Sequence, residues 1–233
     1  MGKVKIKRKS TLIDMTAMSD VTVLLLTFFM LTSTFLQKEP IIVNTPSSVS
    51  EIKVPDQNLV TILISPKGQV FLSISGDGDT TYSSENVRKE LLVNVMAEYN
   101  KYRKNKVQFT QKQVNTFARC ASFGYPIAQL PEFLDQDVTK QDELLDPQKN
   151  GQSGIPVDMN QDLDHPNEFQ MWMRALYSSS NANLISTIKD GKGIAIKADK
   201  DTPYSVVNVV MDNLQTLKMN KFSLMTALKT EED

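Results

Sequence analysis

The residue types that most often carry site chemistry are nearly missing here. The 233 residues hold one cysteine, one histidine and one tryptophan. Cys120 alone cannot close an intrachain disulfide. With His165 as the only histidine, the counts support neither a zinc site nor a Ser-His-Asp or Cys-His pair. An enzyme reading has no support, and no cofactor or metal is expected. Charge of one sign is also lacking: 26 basic residues stand against 27 acidic ones, for a net charge of −1. Long apolar runs are absent except for one, Met15 to Leu36, and that exception organises the rest of the reading.

This run is 22 residues long, about 33 Å at a helical rise of about 1.5 Å per residue. It covers a hydrocarbon core of about 30 Å. A cleavable signal peptide has a shorter apolar stretch and a small-residue cleavage site. Residues 34–38, Thr-Phe-Leu-Gln-Lys, make a poor one, so an uncleaved transmembrane helix over residues 13–37 is expected. Lys3, Lys5, Lys7, Arg8 and Lys9 precede the run, and only Lys38 follows closely. Basic flanks stay cytoplasmic. The N-terminal tail, residues 1–12, is therefore inside, and the remainder is exported. After the tail and Asp14 and Asp20 are set aside, 21 basic and 25 acidic residues leave the exported part at −4. That balance gives no reason to expect a nucleic-acid partner.

Asp20 lies inside the run. A carboxylate at the centre of a bilayer costs roughly 2.5 to 3.5 kcal/mol on insertion scales, and such residues usually face a bundle interior or a water-filled path. Thr27 and Thr34 follow Asp20 at seven-residue steps, and Thr16 precedes it by one turn, so the four share a helix face. Proton handling is the favoured reading. A hydrated carboxylate near the cytoplasmic interface and a polar contact between paired helices remain the alternatives. One helix cannot line a path alone, so a partner must supply the other walls.

A linker, residues 38–57, carries Pro40, Pro46 and Pro55 with several serines, which favours extended chain. Residues 41–44 and 52–54 are suited to pair as short strands; a flexible tether is the alternative. Beyond it lies one domain, residues 58–233. Leu59–Ile64 and Gln69–Ile74 flank Ser65-Pro66-Lys67-Gly68, which predicts a hairpin with Val60, Ile62 and Ile64 on one side. Gly193–Ala198 reads as a strand. Thr202 is expected to cap a helix that has Pro203 at its first position, with Val207, Val210, Leu214 and Leu217 at helical spacing. Residues 222–228 read as a final strand. The expected fold is α+β: a single transmembrane helix, then a small β-β-α-β-α-β domain with helices packed on one sheet.

Residues from about 76 to 165 read as a mainly helical insertion. Val87, Leu91, Val95, Tyr99 and Tyr102 mark one amphipathic helix. Thr110 is expected to cap a second, with Val114, Phe117, Ala118 and Ala121. Residues 166–188 predict a third, with Phe169, Trp172, Met173, Leu176 and Tyr177 as its apolar side. Such stripes are more often core than ligand pocket. Between Glu132 and Glu168 there are ten acidic residues and only Lys140 and Lys149. Asp158, Asn160, Asp162 and Asp164 alternate as in a calcium loop. Leu163 stands where the turn glycine belongs and Phe169 where the bidentate glutamate belongs, so a solvated acidic loop is the stronger reading.

The run Ile13-Asp14-Met15-Thr16-Ala17-Met18-Ser19-Asp20-Val21, with the Leu-rich residues and Phe28-Phe29-Met30 after it, resembles the ExbD/TolR family. Asp20 falls on that family's membrane aspartate and Thr16 on its motif threonine. Asp14 and Ala17 stand where asparagine and proline are usual. Val43-Asn44-Thr45-Pro46 resembles the family's segment after the span, with Thr45 in place of leucine. Residues 60–72 resemble its first hairpin, and residues 195–212 its closing strand–helix unit.

The resemblance implies an ExbD-like subunit of a proton-motive-force-driven motor in the bacterial inner membrane, with a periplasmic C-terminal domain. It would energise TonB-dependent outer-membrane transport. Asp20 would carry the proton, with Thr16, Thr27 and Thr34 as its polar face. Implied partners are an ExbB-like channel pentamer, a second ExbD-like copy and a TonB-like transducer, with Val43, Asn44 and Pro46 as partner-binding candidates. A TolR-type role in envelope maintenance is the alternative within the family. A membrane-tethered periplasmic binding module without proton translocation is the alternative outside it.

Overall fold

The computed structural model describes residues 15–32, 43, 45, 47–48, 55–78, 81–225 and 227–228. The chain divides into two compact units, residues 1–37 and 38–233.

In the first unit, α1 is an 18-residue helix, Met15–Thr32. Its run of Leu, Val and Phe contains neither glycine nor proline, so nothing interrupts the helical ladder. At about 1.5 Å per residue it is about 27 Å long, short of a core of roughly 30 Å. Among the described residues no helix is long and apolar enough to cross a membrane. Of the span expected over 13–37, residues 15–32 form this helix. Residues 13, 14 and 33–37 lie outside the described residues.

The second unit is a mixed α+β fold. In chain order its elements are β1 (Ser47–Ser48), β2 (Leu59–Ile64), β3 (Val70–Ser75), α2 (Ser84–Tyr102), α3 (Gln111–Arg119), β4 (Ser122–Phe123), a 3-10 turn (Ile127–Gln129), α4 (Leu130–Leu134), α5 (Val138–Leu145), α6 (Glu168–Tyr177), α7 (Ala182–Asp190), β5 (Ile194–Ala198), α8 (Tyr204–Thr216), β6 (Ser223–Leu224) and β7 (Ala227–Leu228). A five-stranded sheet has the order β4-β3-β2-β5-β6, and β1 pairs with β7 in a separate two-stranded ladder.

The hairpin forms as expected. β2 and β3 are antiparallel, with Ile62 opposite Leu72 and Leu63 opposite Phe71. The Gly68 N–H donates to Ser65 O at 2.8 Å, and Gly68 takes a φ of 80° that a side chain would disfavour. Cross-strand partners share a face. Val60, Ile62, Ile64, Val70, Leu72 and Ile74 thus bury one face, while Leu63 and Phe71 bury the turn end of the other. β5 joins β2 in parallel, as a strand–helix–strand crossover requires.

Three expectations are corrected by hydrogen bonding. Thr202 does not cap α8. Its hydroxyl donates to Ser65 O at 3.0 Å and so ties the α8 entry to the end of β2; Pro203 occupies the cap position without a side-chain bond. The helix expected over 166–188 is two helices. Between them Ser179 Oγ and Ser180 Oγ each donate to the Glu90 carboxylate at 3.1 Å, and Asn181 caps α7. The final strand is split into β6 and β7, which belong to different sheets.

The segment read as an insertion, about 76–165, is not an appendage. β4 extends the sheet beside β3, and the Ile155 N–H donates to Val70 O at 2.7 Å further along the same strand. Its second helix starts as expected, with a capping box between Thr110 and Gln113. Phe117 of α3, Phe123 of β4 and Trp172 of α6 are buried to 1 % exposure or less. Their rings lie 4.7 to 5.9 Å apart. This aromatic cluster fastens insertion helices to the α6 segment and the sheet.

Candidate functional site

The residues with the clearest chemical tension lie on α1. Every apolar side chain described there is exposed, from Val23 at 54 % to Leu31 at 87 %. Water is a poor medium for such a surface. Asp20 is exposed among them. It makes no hydrogen bond or ion pair with any described residue.

The hydroxyls of α1 behave differently. Thr27 Oγ1 donates to Leu24 O at 2.9 Å, Thr32 Oγ1 to Phe28 O at 2.8 Å, and Thr22 Oγ1 to Ser19 O at 2.8 Å. Back-bonding of this kind hides threonine from an apolar surrounding. Around the axis Thr27 lies roughly 20° and Thr16 roughly 40° from Asp20. Asp20, Thr16 and Thr27 thus lie on one side of α1, and Thr34 lies outside the described residues. Asp20 is the group on that face left to be satisfied by something other than its own helix.

Of the partner-binding candidates, Val43 alone is among the described residues. Val43 is 7 % exposed and belongs to the core of the second unit. Asn44 and Pro46 lie outside the described residues. The linker strand is Ser47–Ser48, paired in parallel with Ala227–Leu228. It falls between the two segments expected to pair, 41–44 and 52–54, which apart from Val43 lie outside the described residues.

The acidic loop turns its oxygens inward. Asp158 Oδ1 accepts from Asn167 Nδ2 at 2.7 Å, and Asn160 Oδ1 from Asp162 N at 2.9 Å. Asp162 Oδ1 accepts from Asp164 N at 2.8 Å, and its Oδ2 meets His165 Nδ1 at 2.9 Å. The His165 hydrogen bond holds the Asp162 carboxyl below its ordinary range, helped by the Asp164 amide. Among the described residues no group of three His, Cys, Asp or Glu side chains is placed to hold a metal ion.

Two half-buried titratable groups are structural. Glu168 Oε2 accepts from the Ile127 N–H at 2.8 Å and joins α6 to the 3-10 turn. Burial raises its carboxyl above the ordinary value despite that bond. Cys120 ends α3, with its thiol directed at Thr116 O at 3.5 Å and its carbonyl accepting from Arg88. Burial pushes the thiol up to about 11, against the opposing pull of Arg88. The thiolate is the reactive form. Cys120 is therefore expected to alkylate roughly a hundredfold more slowly near pH 8 than an exposed thiol. A pH profile of iodoacetamide labelling checks this, and a rate that levels off near pH 9 is the contrary result.

Sequence reasoning missed the convergence of Arg174, Tyr177 and Lys218 in the second unit. They surround a cavity of about 220 Å³ together with Leu163, Leu217 and Met219. Only one of them carries a local peculiarity, the positive φ of Lys218, which no residue pattern announces.

No curated protein and no solved structure matches this chain. A family model described as "Biopolymer transport protein ExbD/TolR" matches residues 7–111. The matched stretch runs from the basic tail through α1, the linker, the β2–β3 hairpin and α2 to the first residue of α3. Over residues 7–111, Asp20 and its threonine face included, the chain is similar to the ExbD/TolR family.

Proposed function

We propose that this chain is the ExbD-like subunit of a proton-motive-force-driven motor in the bacterial inner membrane, with Asp20 as the proton-carrying residue. The observation that carries the reading is a carboxylate with no partner among the described residues, on a helix whose described apolar side chains are all exposed. Lipid and the walls of a channel protein would cover the apolar surface, and the channel would face Asp20. The family match over the same residues agrees with that arrangement.

In this reading residues 13–37 cross the membrane with the basic tail inside, and the second unit stands in the periplasm. An ExbB-like channel pentamer encloses two copies of the helix. Asp20 takes a proton from the periplasmic side and releases it toward the cytoplasm. Its charged and neutral forms favour different contacts with the ring, which makes a two-state element biased by protonation. One charge moving through 100 mV supplies about 2.3 kcal/mol, enough to shift such an equilibrium by a factor of about fifty. The periplasmic domain passes the motion to a TonB-like transducer.

Reconstitution tests the reading. Proteoliposomes holding the three-span channel partner and this chain should take up protons under an imposed gradient. Omitting this chain should reduce the uptake to the leak of empty vesicles. Uptake that is indifferent to its omission would remove Asp20 from the proton path.

A further inference from the structure

We propose that the cavity between α6, the end of α8 and Leu163 binds an organic carboxylate with a small apolar body, about the size of an acylated amino acid. Its wall is rich in donors and has no carboxylate. Arg174 projects from α6 and uses two N–H groups, one to Tyr102 Oη at 3.0 Å and one to Leu163 O at 3.0 Å. A guanidinium has five donors, so three remain. The Tyr177 phenol and the Lys218 ammonium make no hydrogen bond or ion pair with any described residue. Leu163, Leu217 and Met219 supply the apolar floor.

The neighbouring carboxylates do not neutralise this wall. Asp162 and Asp164 flank Leu163 in the chain but do not line the cavity. The Asp162 carboxylate is turned to His165 and to the Asp164 amide. Thr216 directs its hydroxyl to Asp212 O at 2.8 Å, away from a ligand.

Lys218 supplies an independent indication. The Met219 N–H donates to Leu214 O and the Lys218 N–H to Gln215 O, both at 2.8 Å. Together they form a helix-ending motif whose left-handed position usually holds glycine. Lys218 occupies it at a φ of 61°. A side chain there strains the backbone, and that side chain lines the cavity.

The dimensions select the ligand class. About 220 Å³ is below the roughly 300 to 1,000 Å³ of drug-sized sites. A carboxylate meets Lys218, Tyr177 and the spare Arg174 donors through charge-assisted bonds, while a short apolar body rests on Leu217 and Met219. The inference concerns the second unit only and stands apart from proton transfer at Asp20.

The test uses the full chain in detergent micelles with ¹³C-labelled methionine methyls. N-acetylleucine and its uncharged amide are titrated separately. The acid should shift the Met219 methyl saturably with a Kd of roughly millimolar, and the amide should bind at least about tenfold more weakly. Lys218→Gln should weaken acid binding about three- to tenfold. Lys218→Gly should weaken it similarly while raising the melting temperature by about 2 to 4 °C, because the backbone strain is relieved. The proposal is overturned by no saturable shift with the acid, by equal affinity for the amide, or by unchanged affinity in both Lys218 variants.

Discussion

Asp20→Asn should leave the chain folded and able to assemble, and should reduce proton-driven work to background, a loss of at least about a hundredfold. Asparagine keeps the size and polarity of the side chain but cannot bind and release a proton. Asp20 contributes no hydrogen bond or ion pair to any described residue, so its replacement removes nothing that holds the fold. A hundredfold loss corresponds to about 2.7 kcal/mol. That is close to the energy of one charge crossing 100 mV, about 2.3 kcal/mol. Asp20→Glu separates charge from position. It retains the titrating group one methylene further out and should keep partial activity. The measurement is growth on a nutrient that depends on an energised outer-membrane receptor, alongside co-purification of the channel partner. Normal growth of the Asn variant, with normal assembly, would end the proton-carrier reading.

The legibility of this molecule follows the range of the interactions involved. The β2–β3 hairpin was readable because Pro66 and Gly68 fix a turn within four residues. The α3 start was readable because Thr110 and Gln113 cap each other locally. The separation of α6 from α7 was not, because Glu90, some 90 positions earlier, accepts the serine donors at the break. Thr202 has the chemistry of a cap and was read as one. In the fold it lies beside the carbonyls of Ile64 and Ser65, and that proximity comes from the parallel pairing of β5 with β2. The two-residue β4 is too short to carry a periodicity; only its place beside β3 defines it.

The two candidate sites divide along the same line. Asp20 stands out because its neighbours in sequence are apolar, and a charge in an apolar run needs no tertiary knowledge to be seen. The donor-lined cavity is assembled from residues 163, 174, 177 and 216–219. Leu163, Tyr177 and Leu217 stand out in their own windows only as loop or helix residues, and tertiary folding alone brings the set together. Val43 adds a tertiary detail that the linker's composition does not carry. The resemblance marked it as a partner-binding candidate, and at 7 % exposure it is packed in the core of the second unit.

Trp172→Ala should have the largest effect on stability, about 3 to 5 kcal/mol. The side chain is fully buried and stacks on Phe117 at 5.9 Å while meeting Phe123 at 4.7 Å. Truncation would therefore open a cavity where α3, β4 and α6 meet. Folded domains are stable by only about 5 to 15 kcal/mol, so such a loss is a large fraction of the total. Trp172→Phe sharpens the comparison. The indole Nε1 has no hydrogen-bond partner among the described residues, so phenylalanine removes an unpaired N–H together with part of the volume. It should cost about 1.5 kcal/mol or less. Urea unfolding followed by circular dichroism measures both variants. In the parent chain the fluorescence of Trp172, the single tryptophan, reports the same cluster. Because that cluster joins the insertion to the sheet, fluorescence and circular dichroism should give coincident transitions for the second unit. A fluorescence transition well ahead of the loss of secondary structure would mean that the insertion melts by itself. A Trp172→Ala cost below about 1 kcal/mol would mean that the cluster closes over the cavity, against the close packing expected of a buried core.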